Sequence, residues 1–209
     1  MTLTKYTLTN DYFKKIKEYY RKLTLFYSNQ GKNERERISV EVFLSLLGIN
    51  YSKVDVIPIE EQNNPVDVQY KECRFQIKEI PDDVKRHRDI KQTYEALEKA
   101  EKDKIDWPIS VYDKSPYQTA WGKVTNKLEQ IEKSYSNEVK NGLDLLFYIT
   151  NTSTELFNIN DFSRAKELEK YGFRSVSAVI CDKQAVILFV TDHSPPELKT
   201  NFGKLFLSS

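Results

Sequence analysis

Cysteine and histidine are scarce: the 209 residues hold two of each, Cys73 and Cys181, His87 and His193. The cysteines form no CxxC pair, so neither a disulfide framework nor a zinc cluster is implied, and a reducing cytoplasm is the expected compartment. Two histidines far apart in the chain argue against a histidine-based metal site. No GxSxG nucleophile elbow and no glycine-rich phosphate loop occurs. Long apolar runs are missing too. The longest, AVILFV, stops at six residues, far short of the roughly 20 that span a bilayer. MTLTKYTLTNDYFKKIK has no apolar stretch of signal-peptide length. An excess of charge is also lacking, with 32 Lys+Arg against 31 Asp+Glu. Any nucleic-acid surface must therefore come from local clustering.

What remains is a globular composition, 39% apolar and 30% charged, of a size that suits one domain. Residues 1–209 are read as that single domain, with 1–30 as an N-terminal helical extension. Phe13, Ile16, Tyr20, Leu23 and Tyr27 recur at three- and four-residue steps and predict a helix from Thr9 or Asn10 to about Tyr27. A second helix is expected over 34–47, ending at Gly48. Strands are expected over 51–59, 66–70 and 74–80, then a charged helix over 81–104 and another over 119–139. LDLLFYIT (143–150) is almost wholly apolar and predicts a central buried strand. A helix capped by Asn160 or Asp161 and reaching Tyr171 follows, then a hairpin (173–180 with 184–190) and a short helix opened by Pro195-Pro196. The class is mixed α/β.

PVDVQYKECRFQIKEI (65–80) carries the chemistry. Strand side chains alternate faces, so Gln76 and Lys78 are neighbours about 7 Å apart on one side of one strand. A hairpin through QYKEC can bring Asp67 level with Gln76. A carboxylate, an amide oxygen and an ammonium then share a patch. That grouping suits metal-assisted phosphodiester cleavage. Asp67 offers a hard oxygen to Mg²⁺ or Mn²⁺. Gln76 offers its amide oxygen or holds a metal-bound water. Lys78 orients the attacking water or offsets charge growing on the phosphate. On the preceding helix Glu36 projects inside the apolar arc near Val40 and Phe43, whereas Glu34 and Glu41 project outside it. A carboxylate so placed is less awkward if it points at a metal.

The pattern Glu36, Pro65-Val66-Asp67, Gln76-Ile77-Lys78 resembles that of the PD-(D/E)XK nucleases. Their fold is a restriction-endonuclease-like α-β-β-β-α-β core, a mixed sheet flanked by helices; here an N-terminal helix and a C-terminal hairpin are added. ERERISVEVFLSLLGINY, NPVDVQYKECRFQIKEI, GLDLLFYI, YGFRSVSAV and FGKLFL are similar, in the same order, to segments of a bacterial family known only as endonucleases of unknown function. They cover roughly 33–80 and 141–207. The resemblance implies Asp67, Glu36 and Gln76 as metal ligands, Lys78 as their catalytic companion, and nucleic acid, DNA before RNA, as substrate. Gln76 departs from the usual Asp or Glu, although some branches, one of methyl-directed restriction enzymes among them, use Gln. The rival reading is an inactive nuclease-fold module that binds nucleic acid or a protein. Gln76 favours the rival; the Asp67–Lys78 pair favours the enzyme.

Two basic segments could grip phosphates. Lys85, Arg86, Arg88 and Lys91 follow the hairpin directly, with Asp82, Asp83 and Asp89 among them, so a solvated helix face explains them equally. Lys14, Lys15, Lys17, Arg21 and Lys22 lie beside Tyr12, Tyr19 and Tyr20 and read as core plus solvated face. Asp144 opens LDLLFYIT, either reaching the site or marking the strand boundary. No membrane partner is expected. Cutting both strands of a duplex usually takes two active sites, which leaves a homodimer open.

Overall fold

The computed structural model describes residues 10–61, 63–81, 86–103, 118–150 and 154–208. The chain divides into two compact units, one from residues 1–32 and 83–115, the other from 33–82 and 116–209.

In the first unit α1 (Asn10–Phe26) packs on α3 (Arg86–Asp103). Lys17 Nζ donates to Glu101 Oε2 at 2.6 Å across that pair. The charged helix beyond the hairpin is thus the partner of the N-terminal helix. Its sequence shows an amphipathic stripe but not what the stripe will cover. The expected start of α3 at 81–85 lies largely outside the described residues.

The second unit holds both hydrophobic clusters. It opens with α2 (Lys32–Leu46), β1 (Val56–Pro58), β2 (Val68–Tyr70) and β3 (Cys73–Ile80). Gly48 follows α2 at φ +68, the left-handed value that glycine adopts without strain. The first strand is shorter than expected because residues 53–55 form a 3-10 turn capped by Ser52. Then come β4 (Gln118–Thr119), α4 (Ala120–Ile131), α5 (Asn137–Lys140), β5 (Asp144–Ile149) and β6 (Thr154–Glu155). The helix expected over 119–139 breaks after Ile131 into a 3-10 turn, Tyr135 in extended conformation, and α5. Residues Ile159–Tyr171 wind as a 3-10 helix whose cap is Asn158, ahead of the expected Asn160 or Asp161. The closing elements are β7 (Ser175–Ile180), β8 (Gln184–Val190), α6 (Pro196–Asn201) and β9 (Leu205–Leu207).

Seven strands form one mixed sheet in the order β1-β2-β3-β5-β7-β8-β9. Its centre, β3-β5-β7, is parallel, and the pairs to either side are antiparallel. β5 lies in the middle with five of its six residues buried, as its unbroken apolar run requires. On one face Val40, Phe43, Leu44 and Leu47 of α2 and its C-terminal end meet Val68, Phe75, Ile77 and Leu146. On the other, Trp121, Val124 and Leu128 of α4 meet Leu145, Phe147, Val176 and Ala178. The helix that covers the crossover from β3 to β5 is therefore α4.

Candidate functional site

β2 and β3 form a tight hairpin with Val68 opposite Phe75 and Tyr70 opposite Cys73. Lys71 turns the chain at φ +49. Asp67 sits just before β2, and its main chain is tied on both sides: its N–H donates to Phe75 O and its carbonyl accepts from Ile59 N, each at 2.8 Å. The side chain turns into the sheet and is only 7% exposed. There Oδ2 accepts from Ile77 N at 2.8 Å and from the Gln76 amide. A buried carboxylate needs such donors, because desolvation would otherwise disfavour it.

Gln76 is 4% exposed. Its nitrogen, Nε2, faces Asp67, and its oxygen, Oε1, accepts from the hydroxyl of Tyr135 at 2.8 Å. Lys78 is half-buried and donates to the same hydroxyl at 3.0 Å. Its Nζ stands 5.5 Å from the centre of the Tyr135 ring. One line of hydrogen bonds thus runs Lys78–Tyr135–Gln76–Asp67. Strand alternation brings the three hairpin residues together. In register Gln76 stands beside Leu145 and Lys78 beside Phe147, which places them on the α4 side of the sheet.

Tyr135 is the member that sequence reasoning missed. It lies 57 residues beyond Lys78 in a short irregular stretch with no periodic pattern. An aromatic that ends a broken amphipathic helix was the one available signal. Its ring packs edge-on against Phe173, centroids 6.4 Å apart, which fixes where the hydroxyl points.

Glu36 is half-buried on α2, whose apolar side packs on the opposite face of the sheet, under Phe75 and Ile77. Glu41, expected outside the apolar arc, is 9% exposed and pairs with Arg37 at 2.6 Å. It lines a cleft together with Val42, Leu46, Tyr51 and Leu207. Asp144 serves the strand boundary. It is fully buried, accepts from Arg74 N at 2.9 Å, Ser175 Oγ at 2.8 Å and Arg174 Nε at 3.0 Å, and pairs with Arg174. Cys73 is buried as well, and burial pushes its thiol pKa far up, which makes it a packing residue and not a nucleophile.

Of the expected phosphate-gripping residues, Lys85 lies outside the described residues. Arg86 and Arg88 fall in the first turn of α3, and Lys91 is exposed on it, 3.8 Å from Glu95. On α1, Lys17 is spent on Glu101, and Arg21 and Lys22 on Glu18. That is a solvated face laced with ion pairs, and the hydrogen bond to Glu101 raises the Lys17 pKa.

Among the described residues no group of three or more His, Cys, Asp or Glu is placed to hold a metal ion. Zinc and calcium sites are thereby a poor match. Mg²⁺ asks for only one or two carboxylates, and Asp67 supplies one. Gln76, as oriented, gives Asp67 a donor rather than the ion a second oxygen.

A family model described as "Putative endonuclease, protein of unknown function (DUF1780)" matches residues 9–209. The chain belongs to the DUF1780 family. The fold of this DUF1780 chain is also that of a solved structure from Pseudomonas aeruginosa strain PAO1, described as a protein of unknown function of the monooxygenase superfamily. The two are 21% identical with a TM-score of 0.60, over 96% of this chain and 97% of that one. At that identity the likeness shows the fold alone. No curated protein matches this member of the DUF1780 family.

Proposed function

We propose that the protein is a metal-dependent endonuclease with a PD-(D/E)XK-type site on a restriction-endonuclease-like core, hydrolysing phosphodiester bonds of DNA. The observation that carries this reading is the convergence of Asp67, Gln76 and Lys78 on one patch at the β2–β3 hairpin. The family description names the same class of activity. Asp67 would hold Mg²⁺ or Mn²⁺ with Gln76 as its helper; Glu36, expected as a further ligand, sits on a helix packed against the opposite face of the sheet and is left out of the set. When bound, the ion would neutralise phosphate charge and lower the pKa of a bound water. Lys78, an ammonium anchored by a hydroxyl at 3.0 Å, would orient the attacking water and meet the negative charge that develops on phosphate. A preorganised donor of this kind gains its effect because it need not reorganise during the reaction. Lys85, Arg86, Arg88 and Lys91 would hold the flanking backbone, and a homodimer would suit duplex cutting. Both cysteines are free. Among the described residues no helix is long and apolar enough to cross a membrane.

The test is to incubate purified protein with supercoiled plasmid and with single-stranded DNA, in Mg²⁺, Mn²⁺ or EDTA. Cleavage should need the ion and vanish in Asp67→Ala and Lys78→Ala. Equal cleavage by those variants would refute the site. One observation favours a second reading: Gln76 turns its nitrogen toward Asp67, as it would in a module that keeps the fold but binds without cutting. DNA binding with no cleavage under any ion is the result that would select it.

A further inference from the structure

We infer that Tyr135, a residue outside the hairpin pattern, sets the orientation of the Gln76 amide, and that a divalent cation takes full hold at Asp67 only when Tyr135 lets that amide turn. This rests on reading Asp67 as a cation ligand and deepens it by naming what regulates the ligand set.

The argument is a count of protons. An ammonium can only donate, so Lys78 must give a hydrogen to the Tyr135 oxygen. The phenol has one proton of its own, and it points to Gln76 Oε1 at 2.8 Å. With its oxygen engaged, the amide has only N–H to offer Asp67, and that is what it offers. Each link of the line joins one donor to one acceptor, and all its hydrogens run one way, from ammonium to carboxylate. Such chains polarise one another and strengthen.

Turning the amide by half a revolution upsets each link. Oε1 would face the Asp67 carboxylate, oxygen against oxygen, an arrangement that only a cation between them stabilises. Nε2 would face the Tyr135 oxygen, which would then meet two donors while its own proton lost its acceptor within this group. The two orientations are therefore the cation-free and cation-loaded states of one site. Tyr135 and Lys78 bias it toward the first. A Glu in place of Gln76 has no nitrogen to present, so the bias would not exist.

The experiment is Mn²⁺ binding measured by calorimetry on the full-length protein and its variants. Tyr135→Phe keeps the ring that packs on Phe173 and removes only the hydroxyl. Removing the bias of about one hydrogen bond should tighten Mn²⁺ binding about three- to tenfold. In a Gln76→Glu background, itself tighter than wild type, Tyr135→Phe should add less than about twofold, because coupled residues are not additive. A general loosening of the fold would tighten neither. As a second readout, the Gln76 side-chain NH₂ resonances of the wild type should move when Mg²⁺ is added. If Asp67→Ala binds Mn²⁺ like the wild type, or if no variant binds it at all, the ligand reading falls and this inference with it. If Asp67→Ala loses binding but Tyr135→Phe binds no better than wild type, Asp67 stands as a ligand and the role of Tyr135 is overturned.

Discussion

Two buried aspartates stand in this sheet, and their neighbours give them opposite work. Asp67 takes its hydrogen bonds from an amide side chain and one backbone N–H; Asp144 is paired with an arginine and with two further donors. From the sequence Asp67 was the candidate metal ligand, whereas Asp144 stayed ambiguous between the site and the strand boundary because nothing near it in the chain announces Arg174. The structure assigns it to stability. Asp144→Ala leaves Arg174, itself largely buried, without its partner, and breaking such a pair costs about 3–5 kcal/mol. Urea unfolding should show that loss, while Mn²⁺ binding at Asp67 stays as in the wild type. A loss below about 1 kcal/mol would mean that Arg174 finds water instead. The hairpin trio was legible because alternation with period two fixes which side chains share a face. Tyr135 was not, since no local rule links it to residues so far upstream.

Among the elements, long apolar runs and the glycine stop at Gly48 were readable, and the shortest edge strands were not. β5 and the β7–β8 hairpin lie where their apolar patterns put them. β4, β6 and β9, of two or three residues each, carry too few positions for any pattern. α3 was readable as a helix but not as the companion of α1, because an amphipathic stripe does not name its partner. Its first turns bear Arg86, Arg88 and Lys91. If this end of α3 tracks phosphates, log affinity for DNA should fall linearly with log salt, by about 0.9 per duplex phosphate neutralised or about 0.7 on single strands. Arg86→Ala with Arg88→Ala should lower that slope by up to about two, and barely change folding. An unchanged slope with affinity intact would leave the segment a solvated face and direct attention to the Lys14–Lys22 helix.

At the scale of the whole molecule, both hydrophobic clusters belong to residues 33–82 and 116–209. The other unit is a helix pair tied by Lys17 and Glu101. Stability follows buried apolar area, so the larger unit should fold by itself. A chain of residues 33–82 joined through a flexible Gly/Ser linker to 116–209 is expected to unfold in one cooperative thermal transition. It should also keep the Mn²⁺ affinity of the full-length protein. A broad, non-cooperative melt would show that the helix pair is needed for the sheet to form.

The parallel pairing of β3 with β5 also sets a clock. Phe75 meets Asp144 and Ile80 meets Ile149 across about seventy residues of intervening chain, and Lys78 waits 57 residues for Tyr135. At a synthesis rate of about 5–20 residues per second, the hairpin leaves the ribosome roughly 3–11 seconds before either partner exists. During that interval the β3 edge is an open template for pairing with another chain. Lys71, Glu72, Arg74, Lys78 and Glu79 stud this nascent hairpin with charge along its turn and both faces of β3. The ammonium that later faces the candidate site would, in those first seconds, help to keep the newborn strand from aggregating.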